Sequence, residues 1–382
     1  MSLDQKLLGQ KLQRYRLQFS RSLSEVSEAT GISGEKLEAY EAGASPPSGD
    51  EILIFADYYK CDYKFFISNE KLAPFEETET MFRRYRQEFS KEDRWAVQEF
   101  LFLAECESFL QDALGKRPSK KFILSRVSVP FKKRGDRAAA ELRRFLQYPE
   151  IAIPLDIYKD FRSTGIHLFR RRLRNSNISG LYVKHPVAGD CILVNYSEDV
   201  YRQRFTAAHE TCHAILDSDA SFVVSLGSDR KLDQEIRANR FASHYLAPSS
   251  FLRAIPQSRT WNTAKALDWA NKLNVSTEVL AYALHRERLI DSDTVEIIRS
   301  VRVPKREKVD PEIPTTLTPQ SRMRKQELLE RGLSNYYVAL CFESYREGVV
   351  SAARLAEMLL MESDSELRAL ANIYGEHIQY GG

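Results

Sequence analysis

Two histidines four residues apart, inside the apolar run AAHETCHAIL at residues 207–216, restrict the folds open to this chain. Residues i and i+4 of an α-helix lie on one face, so His209 and His213 can bind a single metal ion through their ring nitrogens. Glu210 directly follows the first histidine, where its carboxylate can take a proton from a water at that ion. The pattern predicts a buried helix of a zinc hydrolase. The alternative is a packed helix whose histidines find backbone or carboxylate partners.

A catalytic zinc ion needs a third protein ligand and an open position for water. The downstream candidates are Asp217, Asp219, Asp233, Glu235 and His244. Glu235 is favoured because Asn239 follows it by one helical turn and can accept the outward N–H of a ligating histidine. His244 and Asp217 remain the main alternatives.

The segments around this run predict a mainly α-helical protein with a small β-sheet. The β-rich runs GLYVKH and CILVNYS flank PVAGD and predict a hairpin directly before the histidine helix. A second helix, DQEIRANRFASHYLAP, stops at Pro248, and further helices are expected over about 260–300. Four prolines between 304 and 319 indicate a linker, and the residues after it are again helix-like.

The N-terminal residues 5–66 predict a bundle of short helices. Leu8, Leu12, Tyr15 and Phe19 have helical spacing, and Ser22 with Glu25 forms a capping-box start. A glycine turn then separates this second helix from a third over residues 33–42. Helix, short turn and helix together indicate a helix-turn-helix.

Charge is distributed unevenly along the chain. Residues 1–66 carry 8 Lys/Arg against 10 Asp/Glu, whereas residues 116–174 carry 17 against 5. The basic segment, in particular Arg170, Arg171, Arg172 and Arg174, is either a solvated face or a surface for a polyanion or an acidic partner. The second interpretation adds a hypothesis in which nucleic acid binds here and switches activity on.

The compartment is predicted from cysteine usage and from the lack of targeting signals. Five cysteines, odd in number and without a C-x-x-C pair, are typical of free thiols in the cytoplasm. The start MSLDQKLLGQ lacks the layout of a secretory signal, and no apolar run approaches the roughly 20 residues that span a bilayer. We therefore expect a cytoplasmic protein with no membrane contact.

Residues 8–62, LGQKLQRYR…LSEVSEATGISGEKLEAYEAGASPPSGDEILIFADYYKCD, resemble the helix-turn-helix of the XRE/Cro family. The resemblance implies that helix 33–42 is the recognition helix, with Ser33, Gly34 and Lys36 as the residues that contact DNA. The departure is charge, because Glu35, Glu38 and Glu41 outnumber Lys36, whereas contacts to phosphate need cations. The alternative is a retained fold that serves dimerisation or partner contact.

The stretches QRFTAAHETCHAIL and EIRANRFASHYLAP resemble the ImmA/IrrE metallopeptidases, a gluzincin-like HExxH family. The resemblance implies that His209, His213 and Glu235 bind Zn²⁺ and that Glu210 is the general base. Two departures stand out. Cys212 occupies the usual glycine position of the motif, and ASHYLAP brings His244 and Tyr245 towards the site, either as oxyanion stabilisers or as packing residues.

Together these resemblances imply five segments: a helix-turn-helix domain (5–70), a helical connector (71–130), a zinc peptidase domain (131–302), a Pro-rich linker (303–320) and a helical C-terminal region (321–382). Stand-alone members of the peptidase family cleave helix-turn-helix repressors in phage, mobile-element or stress-response switches, and some fused members are encoded as antitoxins or regulators.

The function expected from these segments is a zinc endopeptidase and transcriptional regulator that acts on a protein substrate. The expected partners are DNA and a second copy of the chain, bound through the helix-turn-helix or the C-terminal helices. An extended substrate is expected to add to an edge strand near CILVNYS. The alternative function is a repressor or antitoxin whose peptidase-like fold is a sensor without proteolysis.

Overall fold

The computed structural model describes residues 3–61, 63–69, 76–119, 121–125, 129–226 and 233–378. Its first five helices are α1 (Gln5–Gln18), α2 (Leu23–Thr30), α3 (Gly34–Glu41), α4 (Gly49–Tyr58) and α5 (Tyr63–Ile67). The capping box of Ser22 and Glu25 starts α2, and the Ser33 side chain caps α3. Gly9 lets α1 pack against the backbone at the end of α3, where a side chain would collide with the Tyr40 carbonyl. The predicted helix-turn-helix bundle is confirmed.

Two helices connect this bundle to the rest of the chain, α6 (Glu76–Arg84) and the 23-residue α7 (Lys91–Ala113). Near its start, α7 holds the bundle through Arg94, which donates to the Gln18 carbonyl at 2.8 Å. Further along, Phe100 packs edge-on against Phe169, with ring centroids 5.9 Å apart. One helix thus contacts both the N-terminal bundle and the central sheet.

The central region alternates helices and strands. Its elements are α8 (Phe131–Phe145), α9 (Ile157–Arg162), β1 (His167–Arg171), β2 (Ile178–His185), β3 (Gly189–Asn195), α10 (Val200–Leu216), β4 (Phe222–Leu226) and α11 (Asp233–Leu246). The sheet has the order β1-β3-β2-β4, with β1 parallel to β3 and the other pairs antiparallel. The predicted hairpin is formed by β2 and β3, and the histidine helix α10 follows it.

The strand near CILVNYS, now β3, lies between β1 and β2. Both its edges are used for hydrogen bonds within the sheet, so it has no free edge for an added strand. The expectation that a substrate adds there is therefore wrong. In the described sheet the edge position beside β2 belongs to β4, a strand that no sequence pattern predicted.

The C-terminal half is helical. It consists of α12 (Ser249–Ala254), α13 (Thr263–Leu273), α14 (Thr277–Arg286), α15 (Ser292–Ser300), a 3₁₀ turn at Lys305–Glu307, α16 (Pro319–Glu330), α17 (Asn335–Arg346), α18 (Ala352–Met358) and α19 (Asp364–Tyr374). Within the described residues, no helix combines the length and apolar character that crossing a membrane requires. The predicted fold class, mainly α with a small sheet, is confirmed.

The sheet separates two hydrophobic cores. Because successive side chains of a strand point to opposite faces, Cys191 and Leu193 of β3 join the core of α7 and the N- and C-terminal helices. Ile192 and Val194 join the other core, which contains α8–α15. Helix α10 lies on this second face, so its histidines are held between the sheet and α11.

Gly180 of β2 sets how closely α10 approaches the sheet. A β-carbon at this position would lie 2.7 Å from Thr206 Cγ2, 2.9 Å from the Leu193 carbonyl and 3.2 Å from Glu210 Cγ. We expect Gly180→Ala to lower the free energy of unfolding by about 1–3 kcal/mol through overpacking, measured by urea or thermal unfolding. Gly49→Ala is the matched control, because a β-carbon there meets no atom within 4 Å. Equal stability of the two variants would contradict the prediction.

Candidate metal centre

The imidazoles of His209 and His213 on α10 meet the carboxylate of Glu235 on α11. The two Nε2 atoms are 3.2 Å apart, and Glu235 places Oε2 3.1 Å from His209 Nε2 and Oε1 3.5 Å from His213 Nε2. All three residues are buried, with exposures of 6%, 0% and 8%. Among the described residues, this is the one group of three or more His, Cys, Asp or Glu side chains whose ligand atoms all lie within 4.8 Å of one another.

The donor set fits a zinc ion. Two nitrogens that bind one tetrahedral zinc ion at about 2 Å are roughly 3.3 Å apart, close to the observed separation of the two Nε2 atoms. Two histidines and a glutamate are also the ligand set of known catalytic zinc sites, which leave the fourth position to water. The three side chains therefore suit a catalytic rather than a closed structural site.

Both imidazoles are oriented through their second nitrogen. His209 Nδ1 lies 3.0 Å from Asn239 Oδ1, and His213 Nδ1 lies 2.7 Å from Asp217 Oδ2. When Nδ1 carries the proton and donates it to these acceptors, Nε2 of each ring is left free to bind a metal. Asp217, the alternative third ligand, instead contacts the ring nitrogen of His213 that faces away from Glu235. Its spacing of four residues from His213 is the signal that would have predicted this contact.

The surrounding charges favour a cation. Burial opposes charge on His213, but hydrogen bonds to Asp217 and Glu235 and the nearby Glu210 outweigh it and raise the pKa of His213 to about 9. Burial likewise opposes charge on Glu235, but the two histidines outweigh it and lower its pKa to about 2. Several carboxylates thus converge on a small buried space, where a metal ion would balance their charge.

The contacts of the Glu210 side chain do not indicate a structural role for its carboxylate. Its side chain is fully buried, and neither carboxylate oxygen makes a hydrogen bond of normal geometry within the described part of the chain. Burial raises the pKa of Glu210, an effect partly offset by His209, His213 and the Ser225 hydroxyl on β4. A buried carboxylate that makes no hydrogen bond of normal geometry is costly to the fold, and such groups are concentrated at sites of chemistry.

Residues 161–285 match the family model of the IrrE N-terminal-like domain, and residues 7–63 match that of a helix-turn-helix domain. The chain thus carries both similarities, in the order helix-turn-helix and then IrrE-like. The predicted resemblance to a helix-turn-helix joined to an ImmA/IrrE-type domain is thereby confirmed. His209, Glu210, His213 and Glu235 all lie within the IrrE-like match. A comparison with curated proteins found no match.

His244 and Tyr245 of the IrrE-like region make their hydrogen bonds outside the metal centre. Tyr245 donates to Asp160 at 2.8 Å, and His244 Nε2 lies 3.4 Å from the Ser249 hydroxyl. Nine residues of helix are two and a half turns, so His244 lies on the opposite side of α11 from Glu235. Of the two interpretations, oxyanion stabilisers or packing residues, these contacts favour packing.

In the helix-turn-helix domain, α3 keeps an acidic surface. Glu35 and Glu38 are exposed, whereas Glu41 is paired with Arg16 at 2.6 Å. Ser33 caps the helix, Gly34 is its first residue, and Lys36 is exposed with its Nζ 3.2 Å from Glu51. Of the three residues expected to contact DNA, only Lys36 brings a positive charge.

The basic run at 170–174 is largely paired within the protein. Arg170 is 1% exposed and binds Asp310 at 2.7 Å and Glu312 at 2.9 Å. Arg171, also mostly buried, pairs with Glu99 of α7. Arg172 and Arg174 are exposed and pair with Glu330 and Glu92, at 2.6 and 3.3 Å. The prediction of a four-arginine surface patch is wrong for Arg170 and Arg171, because acids distant in sequence fold against them.

Proposed function

We propose that the chain is a zinc-dependent endopeptidase that cleaves a regulatory protein, most directly a helix-turn-helix repressor, in a phage, mobile-element, toxin–antitoxin or stress-response switch. The observation that carries the proposal is the buried Glu210 carboxylate, which makes no hydrogen bond of normal geometry within the described residues and lies beside the His209, His213 and Glu235 group. A structural helix has no need of this carboxylate, whereas peptide hydrolysis requires a base at this place. The five free cysteines, all buried, suit the cytoplasmic location that we infer.

Each residue has a role in the proposed reaction. A zinc ion held by His209, His213 and Glu235 would supply a Lewis acid for the peptide carbonyl and acidify a water. Glu210 takes the proton from the attacking water on its carboxylate and returns it to the nitrogen of the leaving amine. Burial suits Glu210 to this role, because it raises the pKa of the carboxyl group and so makes the carboxylate a stronger base.

The substrate is proposed to bind as an extended strand beside β4. This strand is the sheet edge on the side of β2, and its Ser225 lies near enough to Glu210 to influence the pKa of that carboxyl. Backbone hydrogen bonds to an edge strand hold a peptide with little regard to its sequence, and they would present one peptide bond to the metal centre. Such binding requires an unfolded or extended segment in the regulator.

Cleavage can be tested with the regulators encoded beside the gene for this chain. Each purified regulator is incubated with the zinc-loaded protein, and fragments are mapped by mass spectrometry. We expect one regulator to be cut at a defined position, with cleavage lost on chelation and restored by zinc. Full zinc loading without cleavage of any neighbouring regulator would favour the second candidate function, a sensor without proteolysis. The burial of the metal centre is also compatible with that function.

We further infer that the helix-turn-helix domain binds a palindromic operator as a homodimer, formed through this domain or the C-terminal helices. If α3 enters the major groove of the operator, Lys36→Gln should weaken DNA binding several-fold. It should also reduce the salt dependence of the DNA affinity by the equivalent of about one phosphate contact. Fluorescence anisotropy with the promoter of its own gene measures both. Lys272→Gln is the matched control, because Lys272 is also an exposed lysine in an ion pair. An equal effect of both substitutions, or no specific site in that promoter, would favour a protein-binding role for the domain.

A further inference from the structure

Arg237 of α11 contacts the carboxylate that orients His213. Its Nη2 lies 2.5 Å from both oxygens of Asp217, and Asp217 Oδ2 lies 2.7 Å from His213 Nδ1. Arg237 is 3% exposed, so the contact is shielded from water and little weakened by salt. Guanidinium, carboxylate and imidazole therefore form a continuous, largely buried chain that ends at Nε2 of His213, a nitrogen proposed to bind the metal.

Helix α8 contacts both the side chain and the backbone of Arg237. The Arg237 guanidinium lies over the ring of Phe131, 4.6 Å from its centroid, in a cation–π contact. One turn along α8, Gly135 lets the two helices meet closely, because a β-carbon there would collide with the Arg237 carbonyl. Both the backbone and the side chain of Arg237 are thus held in place, which is what a residue that orients another group requires.

We propose that Arg237 is a positioning residue of the metal centre, which fixes Asp217 and through it the orientation of His213, and so sets the affinity for zinc. The proposal rests on the proposed zinc site and adds a residue outside its ligands. Without Arg237 the Asp217 carboxylate could rotate about its terminal bond, and the imidazole bonded to it would lose its fixed direction. Outer partners of metal-binding histidines contribute to metal affinity in this way.

Arg240, a second arginine of α11, provides the control that distinguishes this positioning role from a role in helix packing alone. Arg240 pairs with Asp136 of α8, with its Nε 2.9 Å from Oδ1, and so also joins α11 to α8. It makes no hydrogen bond or ion pair to Asp217 or to the metal-binding side chains within the described residues. Loss of either arginine weakens the packing of α11, but only loss of Arg237 releases Asp217.

The test compares zinc affinities of the full chain, measured by competition with a chromogenic chelator. We expect Arg237→Gln to weaken zinc binding roughly 10- to 100-fold and to shift the visible absorption of the Co²⁺-substituted protein. Arg237→Lys should recover part of the affinity, since it keeps the charge but not the forked geometry. Arg240→Gln should lower the thermal unfolding midpoint and leave zinc affinity and the cobalt spectrum unchanged.

Equal zinc affinities of Arg237→Gln and Arg240→Gln would overturn the proposal. If Arg237→Gln does not fold, Phe131→Leu serves instead, because it removes the ring beneath the guanidinium at a position that is 36% exposed. It should then weaken zinc binding by a smaller factor, and an unchanged affinity would again overturn the proposal. A wild-type chain that binds no zinc would refute the proposed function itself. Tight zinc binding that is unchanged in the Arg237 variants would refute only this inference.

Discussion

Replacing Glu210 with glutamine is expected to leave zinc bound and to reduce peptide cleavage by roughly 10²–10⁴-fold. The amide has nearly the shape of the carboxylate, so the packing of α10 against β2 is kept. It cannot accept a proton from water, so the step assigned to Glu210 is lost. The zinc-free variant should also be no less stable than the wild type, because the buried side chain makes no hydrogen bond of normal geometry that the change would break.

The measurement combines metal analysis with a cleavage assay on the identified regulator. Glu198→Gln is the matched control. Glu198 is a largely buried carboxylate near the start of α10, but it accepts hydrogen bonds from Ser179 and Arg202 and is not one of the three residues of the metal centre. This control should be destabilised and still cleave. Cleavage by Glu210→Gln at the wild-type rate would refute the proposed mechanism.

Replacing one of the proposed zinc ligands should, in contrast to Glu210→Gln, remove the metal itself. The wild-type chain is expected to bind one zinc ion, and His213→Ala or Glu235→Ala should lose most of it, because two remaining ligands hold the ion weakly. Cleavage should disappear with the zinc. Loss of His213 also removes one of the two buried partners of Asp217 and of Glu235, so a fall in stability is expected.

Elemental analysis of the purified variants decides this prediction. His244→Ala is the control, since this histidine lies on the other side of α11 and should keep its zinc. Full zinc in Glu235→Ala would mean that another side chain is the third ligand. Asp217→Asn should retain zinc with weakened affinity, because Asp217 contacts the ring nitrogen that does not face Glu235.

Sequence periodicity determined which side chains share a face of one element. The spacing of four residues placed His209 above His213 on α10, and it placed Glu235 near Asn239 on α11. The capping residues Ser22 and Ser33 likewise marked helix starts, because their hydroxyls accept backbone N–H groups within the next turn. These relations involve residues within about one helical turn, so they hold before any tertiary packing exists.

The tertiary structure alone decided which elements meet. Nothing local to Arg170 indicates Asp310 and Glu312, which lie about 140 residues away and turn a predicted surface cation into a buried one. The same holds for β3, whose strand pattern was visible but whose inner position depends on β1 pairing with it in parallel. Arg237 is the third case, because its contact with Asp217 depends on how α11 packs against the end of α10. A local pattern specifies the direction of a side chain relative to its own backbone, whereas its partner depends on the packing of segments distant in sequence.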